Sequence, residues 1–187
     1  MPGEPPVVEE PEGLLYRPDF LGEAEECDLR DVLLGMELQQ IRMRGQTARR
    51  TVRHFGYGYD YDSWGLRPTE PLPSELLWIR DRAAELAELP PDEMAQVLVT
   101  RYPPGASIGW HRDAPAFGAK VVGVSLGSAC RMRFQREPAG VRRVFELQLA
   151  PGSAYVLSGA VRSAWQHQIP AVKALRYSVT FRQVRGL

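Results

Sequence analysis

Three histidines occur in the 187 residues, His54, His111 and His167, and two of them fall where a metal ion would want them. His111-Arg112-Asp113 is an H-x-D pair. In an extended segment, residues two apart point to the same side, so one imidazole and one carboxylate can converge. The third ligand must come from elsewhere in the fold. His167 is the candidate, in a segment that could run antiparallel nearby. Two histidines and one carboxylate leave open positions on a six-coordinate iron, the ligand set of non-heme Fe(II) oxygenases. Zinc could use the same residues. An H-x-D pair alone arises often by chance, and its plain reading is a surface aspartate beside a half-buried histidine.

Arg176 and Arg182 add a second chemistry. They lie six residues apart on an expected strand, so both share one face. Two arginines pointing into a core are very costly unless each meets an anion. A dicarboxylate such as 2-oxoglutarate supplies one carboxylate for the metal end and one for the far end. The opposite register puts both arginines in solvent and turns Tyr177, Val179 and Phe181 inward. The pattern fits both registers.

The elements that must hold these groups come in a clear order, helices first and strands after. Glu23 to Leu34 reads as an amphipathic helix, with Ala24, Cys27, Val32 and Leu33 among its apolar positions. Ser74 is a plausible N-cap for a helix running to about Leu89 and ended by Pro90-Pro91. Thr47 to Tyr61 is polar, aromatic and glycine-containing, more strand and loop than helix. From Gln96 onward short apolar runs follow one another: Val97–Tyr102, Val121–Leu126, Arg131–Gln135, Val144–Leu149, Ala154–Leu157 and Arg176–Arg182. Gly or Pro separates most of them, and no helix is expected between them. Such spacing indicates a sandwich or jelly roll. The expected class is α+β, mainly β, in one domain: a disordered tail over 1–12, helices and a lid over 13–95, and a jelly-roll core over 96–187.

Zero net charge conceals an asymmetry. Residues 1–37 hold eleven acids and two arginines, whereas residues 38–187 hold twelve acids and twenty-one Lys or Arg. No acid lies between Glu37 and Asp60, and only Asp113 between Glu93 and Glu137. Such basic blocks attract polyanions; a solvated basic face is the plainer alternative. Two distant cysteines, Cys27 and Cys130, fit a reducing compartment. The Pro- and Glu-rich start does not read as a signal peptide, and no apolar run spans a membrane. The expected location is cytoplasmic.

Arg101-Tyr102-Pro103-Pro104-Gly105, His111-Arg112-Asp113, Val124-Ser125-Leu126-Gly127, His167 and Arg176-Tyr177-Ser178-Val179-Thr180-Phe181-Arg182 stand in one order. Over roughly residues 96–184 this resembles the AlkB family of Fe(II)/2-oxoglutarate dioxygenases; residues 13–95 resemble it loosely. The resemblance implies a double-stranded β-helix. It implies iron on His111, Asp113 and His167, with O2 and 2-oxoglutarate as co-substrates. Arg176 would pair with the distal carboxylate, helped by the Tyr102 hydroxyl, and Arg182 would lie near the metal end. The implied activity is oxidation of N-methyl groups on nucleic-acid bases, releasing formaldehyde; the same chemistry on a protein or small molecule is the alternative. The sequence departs from the family at three points. Thr100 and Ser178 stand where an asparagine is frequent, and both can still hydrogen bond in the co-substrate site. Pro115 stands where several nucleic-acid repair members carry an acid that contacts the base.

Aromatics interleaved with arginine are what stacking on an extruded base requires. Arg49, Arg50, Arg53, Tyr57, Tyr59 and Trp64 are therefore the expected substrate contacts, as a lid before the jelly roll. Arg112 joins them, facing away from the two ligands that flank it. The alternative places Phe55, Tyr57 and Tyr59 as alternate core residues of one strand. Trp110 and Trp165 are expected to pack around the metal site, and His54 to be a surface histidine. Single-stranded or flipped nucleic acid is the expected partner.

Overall fold

The structure is a computed structural model that describes residues 5–43, 45–60 and 65–187. In chain order its elements are β1 (Val7–Val8), β2 (Leu14–Arg17), α1 (Glu23–Leu34), β3 (Gln39–Met43), β4 (Gln46–Phe55), β5 (Tyr57–Asp60), β6 (Gly65–Pro68), α2 (Leu77–Leu86), β7 (Gln96–Tyr102), β8 (Ile108–His111), β9 (Phe117–Gly127), β10 (Cys130–Arg136), β11 (Arg143–Leu149), β12 (Ser153–Leu157), α3 (Gly159–Ser163), β13 (Gln166–Ile169) and β14 (Arg176–Val184). They form a seven-stranded sheet ordered β2-β12-β9-β14-β7-β4-β3, a five-stranded sheet ordered β1-β11-β10-β13-β8, and a separate hairpin, β5-β6. Two mainly antiparallel sheets face one another, which is the expected jelly roll.

The large sheet is covered on both faces, and the two coverings differ chemically. On β14, Tyr177, Val179 and Phe181 pack with Leu29 and Leu33 of α1 and Ile79 and Ala83 of α2. Burying each such side chain fully is worth about 1.5–3 kcal/mol. The alternate residues Arg176, Ser178, Thr180 and Arg182 face the other sheet and line a cavity. The register is thus the one that points both arginines inward. It is stable because the apolar alternates already have helices to pack against. A second apolar cluster, including Met132, Phe134, Leu149, Leu157 and Trp165, fills the rest of the space between the sheets.

Helix α1 has the expected bounds. Glu25 accepts a hydrogen bond from Gly22 N–H at 2.9 Å, and acids at Glu23, Glu25 and Glu26 suit the positive end of the helix dipole. Buried Glu26 accepts from Gly127 N–H at 2.7 Å, tying α1 to the end of β9.

Four local expectations are corrected. Of the tail over 1–12, Val7–Val8 pairs in parallel with Arg143 and Val144 of β11, and Glu9 bridges Arg136 and Arg143; the described part of the tail is held by charge pairing that composition does not reveal. Ser74 is not a cap: it opens a 3-10 turn, Ser74–Leu76, before α2, and its hydroxyl meets Glu75. A short helix, α3, does interrupt the strands. The strand β4 ends at Gly56, whose φ is +76° and where a Cβ would lie 1.9 Å from the Ala95 carbonyl oxygen. Only glycine fits there. The break leaves Phe55 in the helix-side core and swings Tyr57–Asp60 into its own hairpin.

Candidate active site

Between the two sheets lies a cavity of about 600 Å³. On the small sheet, His111 of β8 and His167 of β13 are direct cross-strand partners. Their ring centroids are 4.3 Å apart and tilted by 58°. Asp113 follows β8 by two residues and turns its carboxylate toward the same point, with Oδ2 3.8 Å from His167 Nε2. Its Oδ1 accepts from Arg182 Nε at 2.8 Å and lies 2.6 Å from Arg182 Nη2. The antiparallel pairing of two four-residue strands thus closes the 55-position gap between the histidines.

Among the described residues, no three His, Cys, Asp or Glu side chains are already closed around one point. The donor set nevertheless fits a dication. His111 Nδ1 lies 2.8 Å from the Gly109 carbonyl, to which it can only donate. That leaves Nε2 with its lone pair, the usual way a backbone acceptor orients a histidine ligand. Burial holds both rings neutral: it lowers His111, and it pushes His167 down to about 3. Burial alone would raise Asp113, but the Arg182 guanidinium, together with His167 and His111 beside it, outweighs burial and holds the carboxyl well below the usual range. Two neutral imidazoles and one carboxylate are therefore ready at neutral pH, with no proton to displace.

The opposite wall comes from the large sheet. Arg176 is 2% exposed. Its Nε donates to the Ser125 hydroxyl at 3.0 Å, and its guanidinium lies 4.9 Å from the Tyr102 ring centroid. Among the described residues it meets no acid. Thr100 and Ser178, cross-strand partners, line the same wall. Arg182 stands at the Asp113 end, so the two guanidiniums mark the ends of one polar row along β14.

The expected substrate residues separate. Arg50, Tyr59 and Arg112 line the cavity. One Arg50 nitrogen is engaged by the Ser107 carbonyl at 3.0 Å. Arg53 points to the outer face, where it pairs with both oxygens of Glu70 at 2.8 and 2.9 Å; alternation along β4 puts it opposite Arg50. Arg49 and Tyr57 are not among the cavity residues, and Trp64 lies outside the described residues. Trp110 lines the cavity, and Trp165 is buried in the core between the sheets. His54 is not on the surface. It lines the cavity with Arg50 and Val52, its alternates on β4, and its Nδ1 lies 3.3 Å from the Gln96 amide nitrogen. Burial and Arg182 push its pKa down to about 4. Period-two reading forward from Arg50 through Val52 would have found it.

One residue outside the cavity holds Asp113 in place. Arg162 of α3 donates to the carbonyls of Asp113, Ala114, Phe117 and Gly118 at 3.0–3.2 Å. It ties the Asp113 loop to the segment leading into His167. Replacing it with alanine takes a donor from all four carbonyls, although Ala114 keeps the Phe117 N–H and Phe117 keeps Arg185. Arg162→Ala should lower stability by about 2–3 kcal/mol and weaken Fe(II) binding roughly tenfold. Denaturant unfolding and metal titration check the two effects separately.

A jelly roll that sets two imidazoles and a carboxylate on one sheet against a buried guanidinium on the other is the frame of a metal-dependent oxygenase with an acidic co-substrate. The family model of the 2OG-Fe(II) oxygenase superfamily matches residues 18–182. The chain is 30% identical over 167 residues to tRNA (carboxymethyluridine(34)-5-O)-methyltransferase ALKBH8 of Mus musculus, covering 85% of this chain and 24% of that protein. It is 31% identical over 147 residues to Alpha-ketoglutarate-dependent dioxygenase AlkB of Escherichia coli K12, covering 71% and 66%. The solved structure of OsALKBH1 superposes with a TM-score of 0.71 at 18% identity, covering 96% of this chain and all of that one, and so shares the fold. The chain thus spans about a quarter of the length of the Mus musculus protein it matches. It belongs to the 2OG-Fe(II) oxygenase superfamily, within the AlkB family, and its cofactor and co-substrates are Fe(II), 2-oxoglutarate and O2.

Proposed function

We propose that this chain oxidatively demethylates alkylated nucleic-acid bases, with His111, Asp113 and His167 holding Fe(II) and Arg176 receiving the distal carboxylate of 2-oxoglutarate. The observation that carries the reading is Arg176, a buried guanidinium whose polar partner is a neutral hydroxyl. A buried charge of this kind calls for an anion. The Tyr102 ring packs against it, and Thr100 and Ser178 line the stretch between the two arginines.

Bound Fe(II) supplies the activation of O2 against 2-oxoglutarate, which yields succinate and CO2 and oxidises a C–H bond of the substrate. A hydroxylated N-methyl group then leaves as formaldehyde. The protein's part is positioning. Arg182 holds Asp113 ionised and oriented, the Gly109 carbonyl fixes the His111 tautomer, and the sheets close the cavity around the reacting groups. At the mouth, Arg112 is exposed and Tyr59 leans on Phe117, 6.1 Å between centroids. These suit a phosphate and the face of a flipped base. The names of the AlkB relatives support the same substrate class.

The same chemistry on a protein or small molecule is the second reading. Pro115 favours it, because the side chain of this exposed cavity residue offers a base no donor or acceptor.

Succinate and formaldehyde should both form from methylated single-stranded oligonucleotides with Fe(II), 2-oxoglutarate and ascorbate. Succinate without formaldehyde from any methylated oligonucleotide would sink the nucleic-acid reading and leave the second. Arg112→Ala should weaken oligonucleotide binding similarly across sequences and reduce the slope of log affinity against log salt by about 1. An unchanged slope would remove Arg112 from the phosphate contacts.

A further inference from the structure

Tyr155 stands opposite Gly123 where β12 pairs with β9, and Gly123 stands opposite Thr180 where β9 pairs with β14. The tyrosine ring lies across the glycine. A Cβ at Gly123 would come 2.1 Å from Tyr155 Cζ and 2.4 Å from its Oη. Gly123 is therefore bare for its neighbour's sake. The ring runs over the sheet and carries its hydroxyl into the cavity that Arg176, Ser178 and Arg182 line.

Thr180 lies between Arg176 and Arg182 on β14, so a hydroxyl laid over its cross-strand partner Gly123 sits between the two ends of the polar row. Burial keeps it protonated, well above the usual phenol range. Among the described residues it makes no hydrogen bond, and it opens onto the cavity, where a ligand can accept from it. Thr100 and Ser178 bring only short hydroxyls to that wall, and Tyr155 offers a longer-reaching donor to the same cavity.

We propose that Tyr155 is a co-substrate-binding residue, its hydroxyl donating to the 2-oxoglutarate carboxylate that Arg176 holds, with Gly123 kept bare to admit the ring. The inference rests on the reading of Arg176 given above.

The test is calorimetric binding of 2-oxoglutarate to the full chain, with Mn(II) and without oxygen. Tyr155→Phe should weaken binding roughly tenfold, the loss of one hydrogen bond to a charged acceptor, with Mn(II) affinity unchanged. In turnover the KM for 2-oxoglutarate should rise while kcat stays within about twofold. Unchanged affinity in Tyr155→Phe overturns the proposal, and so does tighter binding, which would make the ring an obstruction. Gly123→Ala should also weaken binding by displacing the ring; wild-type affinity there overturns the role given to Gly123. If Gly123→Ala fails to fold, the double variant Gly123→Ala/Tyr155→Ala should fold again, because the clash is gone. Its failure to do so counts against the ring-over-glycine packing. Tight wild-type binding with an indifferent Tyr155→Phe overturns this inference alone. No binding by the wild type overturns it together with the Arg176 reading.

Discussion

Asp113→Ala should abolish succinate formation from 2-oxoglutarate, and His111→Ala should do the same while leaving the fold intact. The two residues fail for different reasons. His111 donates its Nδ1 proton to the Gly109 carbonyl and keeps Nε2 for a metal, so its loss removes one neutral donor. Asp113 is the only carboxylate in the set and the partner of Arg182. Its loss removes the ligand charge and also frees a guanidinium beside the metal, adding repulsion. Altering groups that merely orient ligands costs roughly 10- to 100-fold in metal affinity. Removing a ligand should exceed that, and Asp113→Ala should be the more severe. Asp113→Asn keeps the shape and separates the effects: it retains an oxygen toward Arg182 but loses the charge. Fe(II) titration with parallel succinate assays checks this. Turnover within about tenfold of wild type in either alanine variant would refute the metal assignment.

How far these residues could be read from sequence depended on the type of element that carries them. β14 was legible because alternation repeats over seven residues and its arginines share parity; only the direction of that parity was open. The helices settled it, since Tyr177, Val179 and Phe181 needed an apolar cover that α1 and α2 provide. β8 and β13 carry the two histidines but have four residues each and no apolar run. They exist as strands because they pair with each other and β13 pairs with β10, which is tertiary information. Arg53 shows the limit of composition. It belongs to the same basic run as Arg50, yet one step along a strand reverses the face, and Glu70 claims it. His54 lies on the Arg50 face for the same reason. The Tyr155–Gly123 fit was invisible because a glycine within an apolar run reads as a weak strand residue until its cross-strand neighbour is known.

Arg176→Met should change stability and binding in opposite directions. In the wild type the guanidinium is buried with a serine hydroxyl and the face of Tyr102 as its partners. That is a costly arrangement for a protein without its co-substrate, because one neutral hydrogen bond and a ring face do not replace the lost hydration. Methionine fills similar space without charge, and replacing buried ionic groups with apolar residues is often neutral or stabilising by about 1–4 kcal/mol. The ligand-free variant should therefore melt at the same temperature as wild type or higher. 2-Oxoglutarate should then do little for it. Truncating one partner of a buried charge pair costs about 2–5 kcal/mol, roughly 30-fold to several thousand-fold in affinity. Wild type at a hundred times its dissociation constant gains about 2.7 kcal/mol from the ligand, and the variant at that concentration should gain about 0.9 kcal/mol at most. Thermal melts with and without 2-oxoglutarate, at fixed Mn(II), measure both effects in one experiment. A ligand-free variant markedly less stable than wild type would show that Arg176 is a structural cation already satisfied by Ser125 and Tyr102. An undiminished ligand-induced shift would place the distal carboxylate on some other residue. The expected pair, a tolerant apo protein and an unresponsive one, follows only if the charge is buried there for the sake of an anion that the chain does not itself contain.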